Sequence, residues 1–299
     1  MPNNTPADFT TTVSGKWILT GEHAVLRGHP ALIFPIKAKQ LTLEFWSSNE
    51  EVRAEFHGDF ADEIQFLFWS ALERATEILD LHRSDLLGKF SVNNNIPVGA
   101  GMGASGALCV AIGRWFSAQG RLPQENLLEF SRQLENLFHH ESSGGDIAVG
   151  IAGEGIYFSR SGGLHPIKAK WQPKWYLSYS GKTSITSRCV DKVKSLWQKN
   201  QNLAEKIDLE MAESVALAQK AFQSNEEEGL PLLKKAIKQA ESCFRQWQLC
   251  EGILAQHIEK LLKTGAIAAK PTGAGDGGYV LSLWNETPPN NLDFELIAI

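Results

Sequence analysis

Along the first half of the chain, hydrophobic and polar positions switch between two periods, which predicts a mixture of strands and helices. Residues 40–46 read Gln-Leu-Thr-Leu-Glu-Phe-Trp, an alternation suited to a half-buried strand. Short apolar runs at Lys16 to Leu19, Ala31 to Phe34 and Lys89 to Asn93 predict further strands. From Ala61 to Leu81 the period lengthens. Ile64, Leu67, Phe68, Leu72, Ala75, Ile78 and Leu79 recur at threes and fours, the signature of an amphipathic helix. Ser105 to Ala118 and Leu122 to His139 also read as helices, the second with Pro123 near its first turn. Ile147 to Phe158 reads as extended chain interrupted by Gly150, Gly153 and Gly155.

The second half changes character. After a strand at Trp175 to Tyr179 come three helical segments with polar outer faces: Leu209 to Phe222, Gly229 to Leu249 and Gly252 to Lys263. Tyr279 to Trp284 predicts a strand, and Asp293 to Ile299 a final short one. Ser161, Gly162, Gly163 and Pro166 cluster where the pattern changes, which places a domain boundary there. The expectation is an α+β protein of two domains, residues 1–165 and 166–299.

Composition narrows the function classes. Of 299 residues, 43% are hydrophobic and 21% charged, ordinary values for a globular protein. Lys and Arg total 29 against 34 Asp and Glu, a formal charge of -5, which argues against a general nucleic-acid binder. No apolar run approaches the about 18 residues needed to span a bilayer. Met1 to Thr12 lacks the charged-then-apolar order of a secretion signal. Cys109, Cys189, Cys243 and Cys250 show no CxxC pairing and read as buried reduced thiols, the last two seven positions apart on one helix face. A cytoplasmic protein with no membrane or nucleic-acid partner is expected. His139 and His140 are adjacent, so on a helix they point about 100° apart and do not share a metal ion.

The strongest chemical signal is Pro97-Val-Gly-Ala-Gly-Met-Gly-Ala-Ser-Gly106, which runs into an apolar helix. Glycines let backbone approach a ligand closely, and a helix N-terminus offers unpaired N–H groups with a partial positive charge of about +0.5. Together these make an anion site suited to phosphate. Gly101, Gly103 and Gly106 match the dinucleotide pattern GxGxxG, but Pro97 interrupts the strand that fold needs before its first glycine. Gly181-Lys-Thr183 resembles the end of a Walker loop, yet Tyr176 stands where its first glycine belongs.

Three segments carry a resemblance to the GHMP kinase superfamily. Gly15-Lys-Trp-Ile-Leu-Thr-Gly-Glu-His-Ala-Val-Leu-Arg-Gly-His-Pro-Ala-Leu32 resembles the first motif of its mevalonate kinase branch. The Pro97 to Ser105 loop resembles the second motif, which holds ATP phosphates. Lys270-Pro-Thr-Gly-Ala-Gly-Asp-Gly-Gly278 resembles the third. The three occur in the family's order and span the chain nearly end to end. The resemblance implies an N-terminal domain like ribosomal protein S5 domain 2, a ferredoxin-like C-terminal domain, and Mg·ATP-dependent phosphorylation of a small-molecule alcohol. Mevalonate is the leading acceptor. Another GHMP activity (on phosphomevalonate or a sugar-like alcohol) and a catalytically silent ligand-binding homologue are the alternatives. Family members are often homodimers, although no segment here identifies an interface.

The same resemblance assigns roles by position. Pro97, Gly99, Gly101, Met102, Gly103, Ala104, Ser105 and Gly106 would contact ATP. Glu135 and Ser105 would bind Mg²⁺, Asp146 would be the base, and Lys16 would stabilise the alkoxide. Glu22, His23 and Thr183, with Gly273, Ala274 and Gly275 of the third motif, would contact substrate. The sequence departs from the family at Ser14 and Ser142, where prolines are common, at Ala104, where serine is, and at Asp276, where glycine is usual. A carboxylate at 276 would repel phosphates unless it turns away or meets the metal.

Overall fold

The computed structural model describes residues 5–138, 142–160 and 162–299. His139, His140 and Ser161, singled out above, lie outside the described residues. The chain forms two compact units that interleave in sequence. The first lies within Met1–Lys16, Pro35–Val98 and Met102–Gly153, the second within Trp17–Phe34, Gly99–Gly101 and Glu154–Ile299.

Strands β1 (Phe9–Thr20) and β2 (Ala31–Glu51) each contribute to both units. In the first unit, β2 from Leu41 onward pairs antiparallel with β4 (Leu87–Asn94), and β3 (Arg53–His57) runs parallel to β4. Helices α1 (Ala61–Ile78), α2 (Ala104–Ala118), α3 (Leu127–Glu135) and α4 (Gly145–Ala152) complete it. The period-two pattern holds where it was read: Leu41, Leu43 and Phe45 are buried, while Thr42 and Glu44 are only partly so. From the helical side, Ile64, Phe68 and Leu72 of α1 and Leu108, Ile112 and Trp115 of α2 are buried. Phe90 sits at the centre, its ring 4.7 Å from Phe45 and 4.8 Å from Trp115. Such aromatic pairs each contribute about 0.5–1.5 kcal/mol beyond simple burial.

Three expectations change here. Ala31 to Phe34 and Gln40 to Trp46 belong to one 21-residue strand. The segment from Leu122 opens with a 3-10 turn, Gln124–Asn126, and the α-helix begins only at Leu127, because Pro123 sits in an extended conformation. Residues 147–152 form helix α4 rather than extended chain. The alternating Ile147, Val149 and Ile151 mimic a strand, but Ile147, Ala148 and Val149 are all buried, so burial extends around the helix. Gly150 lets this helix approach Val13 and Val110: a Cβ there would stand 3.2 and 3.4 Å from their methyl groups.

In the second unit the start of β2 pairs with β5 (Ile156–Ser159), which pairs in turn with β6 (Gly163–Pro166). A separate four-stranded antiparallel sheet combines β7 (Lys174–Tyr179), β8 (Ala268–Pro271), β9 (Tyr279–Trp284) and β10 (Ile297–Ala298) in the order β10-β7-β9-β8. Between β7 and β8 come α5 (Thr186–Lys199), α6 (Gln201–Gln223), α7 (Glu226–Gln246) and α8 (Gly252–Lys263). The pattern did not reveal α5, because only Cys189 and Val193 on it are fully buried. Asn200 caps α6 and Asn225 caps α7, each side chain accepting a backbone N–H, at 3.1 and 3.0 Å. Ile207, Met211, Phe244, Leu254, Ile258 and Val280 form the core of this unit. All four cysteines are buried free thiols. Cys250 lies beyond the end of α7, so it does not share a helix face with Cys243. Among the described residues, no helix is long and apolar enough to cross a membrane.

Candidate active site

The glycine-rich loop ends at Gly103, which caps the N-terminus of α2 with φ 77°. Ala104, Ser105 and Gly106 form the first turn, so their N–H groups have no carbonyl partner within the helix. The backbone N–H of Lys16 on β1 donates to Met102 O at 2.8 Å, which ties the strand to the loop. The Lys16 ammonium then reaches Asp146 Oδ2 at 3.1 Å, with the lysine buried and the carboxylate part-exposed. Close approach explains two of the glycines. A Cβ on Gly103 would stand 2.7 Å from Lys16 Cγ, and one on Gly106 would stand 3.1 Å from Glu135 Oε1 and 3.2 Å from Asp146 Cβ.

Glu135, the last residue of α3, is only 2% exposed. Burial first, and then the charge of Asp146, push its carboxyl well above the usual carboxylate range, while the Ser142 hydroxyl and the Lys16 charge pull it down. Two carboxylates thus flank one glycine, with one ammonium to offset them. The donors are all oxygen, and a hard dication would relieve the repulsion. Among the described residues no cluster of three or more His, Cys, Asp or Glu could hold a metal. One or two protein oxygens completed by phosphates and water are what Mg²⁺ accepts, and the Glu135 carboxylate, buried beside Gly106 and Asp146, is chemically suited to be one of them.

The substrate residues expected from the first and third motifs belong to the second unit. Thr272 Oγ1 accepts from Ile18 N at 2.9 Å and donates to Ile18 O at 3.0 Å, clasping β1 to the end of β8. Lys270, 0% exposed, places its Nζ on Glu22 Oε1, 2.5 Å away. Desolvation lowers the Lys270 pKa, opposed by Glu22. His23 sits at φ 58° with Nε2 2.8 Å from Ala274 O. A carbonyl only accepts, so Nε2 carries the proton and Nδ1 is an acceptor. Burial lowers the His23 pKa to about 4, so the ring is neutral at physiological pH. Trp247 and Phe244 meet the ring edge-on at 5.1 and 5.9 Å.

Thr183 is exposed, 3.3 Å from Tyr179 Oη, whereas its neighbour Ser184 donates to Gly275 O at 2.6 Å and thus braces the third motif. Asp276 turns onto Lys182, Oδ1 to Nζ 2.7 Å, at φ 56°. That pair answers the charge problem noted in the sequence. Asp276→Gly is expected to change stability by less than about 1 kcal/mol: a half-exposed ion pair contributes little, and glycine removes the cost of a left-handed backbone. The urea midpoint checks this.

Residues 67–154 match the family profile described as GHMP kinases N terminal domain. Those residues resemble the N-terminal domain of GHMP kinases. Among curated relatives, the mevalonate kinase of Pyrococcus horikoshii is 28% identical, covering 90% of this chain and 86% of its own length. Among solved structures, L. major mevalonate kinase in complex with R-mevalonate superposes with a TM-score of 0.78 at 21% identity, covering 96% of this chain and 90% of that one. Streptococcus pneumoniae phosphomevalonate kinase in complex with phosphomevalonate and AMPPNP gives 0.72 at 18% identity, with 93% of each chain covered. The α+β GHMP kinase fold expected from the sequence is therefore the fold observed.

Within the first unit, Lys16, Gly103, Gly106, Glu135 and Asp146 converge. In the second, Glu22, His23, Ala274 and Gly275 are held in hydrogen-bonded contacts, and Thr183 stays at the surface. Two supporting residues escaped the sequence reading. Lys270 carried a weak signal, a lysine flanked by apolar residues in Ala-Ile-Ala-Ala-Lys-Pro. Ser142 was visible only as a departure from proline.

Proposed function

We propose that this protein is a GHMP kinase that transfers the γ-phosphoryl group of ATP to the primary alcohol of mevalonate. The observation that carries the reading is the Lys16–Asp146 pair, 3.1 Å apart beside the glycine-rich start of α2. Phosphoryl transfer needs positioning and charge neutralisation more than covalent help from the protein. Asp146 takes the hydroxyl proton as the alcohol oxygen bonds to the γ-phosphorus and the bond to the ADP oxygen breaks. The Lys16 ammonium stabilises the oxygen as it gains charge. The α2 N–H groups and the flanking glycines hold phosphate oxygens. Ser105 and Glu135 would hold Mg²⁺, which supplies further neutralisation of the phosphates when bound. The mevalonate kinase relatives, matched over most of their length, support this acceptor over others.

ADP release is measured with Mg·ATP and mevalonate, phosphomevalonate, galactose or homoserine. Turnover on mevalonate alone is the expected result. Turnover on phosphomevalonate instead would move the assignment to the other branch that shares this fold. Nucleotide binding with no turnover on any of the four would remove the mevalonate reading.

A further inference from the structure

Ser142 links the Glu135 carboxylate to the turn that carries Asp146 through a single hydroxyl. The residue is 8% exposed, and its Oγ donates to Glu135 Oε2. The same oxygen accepts the Gly144 backbone N–H at 3.0 Å. Gly144 begins the turn into α4, and Asp146 is the second residue of that helix. The Ser142 backbone N–H in turn points to Asn136 Oδ1, one residue past Glu135, at 3.4 Å. The serine therefore joins the end of α3 to the start of α4 by three polar contacts. A hydroxyl has one proton to give and lone pairs to receive, so it can serve a carboxylate and an amide together. Neither alanine nor proline can do so, and proline also lacks the N–H.

We propose that Ser142 is a positioning residue: its hydroxyl fixes the orientation of the Glu135 carboxylate toward the divalent cation that accompanies ATP, and sets that carboxylate in register with the turn carrying Asp146. The proposal rests on the kinase reading above. A carboxylate held on one oxygen keeps the other free and aimed, whereas a released carboxylate must lose rotamer freedom when the cation arrives. Supporting residues of this kind change metal affinity by roughly 10–100-fold when removed.

The test uses full-length wild type, Ser142→Ala and Ser142→Thr. Calorimetry measures the affinity for a non-hydrolysable ATP analogue with and without Mg²⁺, and steady-state kinetics measure the Mg²⁺ concentration giving half-maximal rate. Ser142→Ala should lose about tenfold of the Mg²⁺-dependent gain in affinity. Its half-maximal Mg²⁺ should rise by a similar factor, with metal-free nucleotide affinity and the acceptor KM unchanged. Ser142→Thr should restore both. An unchanged Mg²⁺ dependence in Ser142→Ala would overturn the proposal. So would a loss of rate that excess Mg²⁺ does not recover, accompanied by a lowered melting temperature, because that marks a purely structural serine. If wild type itself gains no nucleotide affinity from Mg²⁺, the metal assignment and this proposal fall together. A wild-type gain that Ser142→Ala keeps removes the serine alone.

Discussion

Asp146→Asn is expected to lower turnover at least a hundredfold while nucleotide binding stays within a few-fold of wild type. A positioned general base contributes about 10²–10⁴ in rate, and asparagine keeps the shape of aspartate while removing its capacity to accept the proton. Asp146 is only part-buried, so the exchange leaves the core of the first unit untouched. It also removes the charge that Lys16 faces at 3.1 Å, which frees the ammonium to approach the nucleotide phosphates. The loss should therefore appear in kcat rather than in the ATP KM. Steady-state kinetics on the acceptor that turns over, with calorimetry on an ATP analogue, separate the two. A near-normal kcat would take Asp146 out of the base role and leave the Lys16 pair as a structural contact.

The second large effect concerns stability. Lys270→Met is expected to destabilise the protein by about 3–5 kcal/mol, because it leaves the Glu22 carboxylate buried without its cation. Methionine matches the length of the lysine stem, so lost packing contributes little. The pair is fully desolvated, at 0% and 2% exposure, and so escapes the screening that weakens surface ion pairs. Urea denaturation of Lys270→Met, Glu22→Gln and the double variant measures the coupling directly. The double variant should be more stable than the sum of the single losses implies, since neutralising Glu22 removes the charge that Lys270 offsets. Strictly additive losses would show that the two side chains do not depend on each other. Glu22 thus acts as an anchor for the turn bearing His23 at φ 58°.

Much of this was legible in the sequence because the signals are local. The helices α1 and α2 and the strand around Leu43 follow from apolar period alone, each period being set by geometry within a few residues. The glycine loop could be read as a phosphate site because glycine spacing and a following helix are neighbours in the chain. Two local readings failed for an equally physical reason. Residues 147–152 alternate like a strand, but a helix buried on several sides leaves no amphipathic mark to oppose that pattern. The helix α5 failed in the opposite sense, with too few buried positions to show a face.

The sequence by itself determined the helices and strands of strong period, the glycine-rich loop that opens α2, and the family resemblance that its three motifs carry. Only the tertiary structure decided which charges meet. Lys270 finds Glu22 across 248 positions, Asp276 turns onto Lys182 across 94, and Ser142 bridges Glu135 to the turn before Asp146. Period and propensity are properties of a few adjacent residues, whereas the cost of burying a charge is cancelled only by whichever partner the folded chain brings beside it.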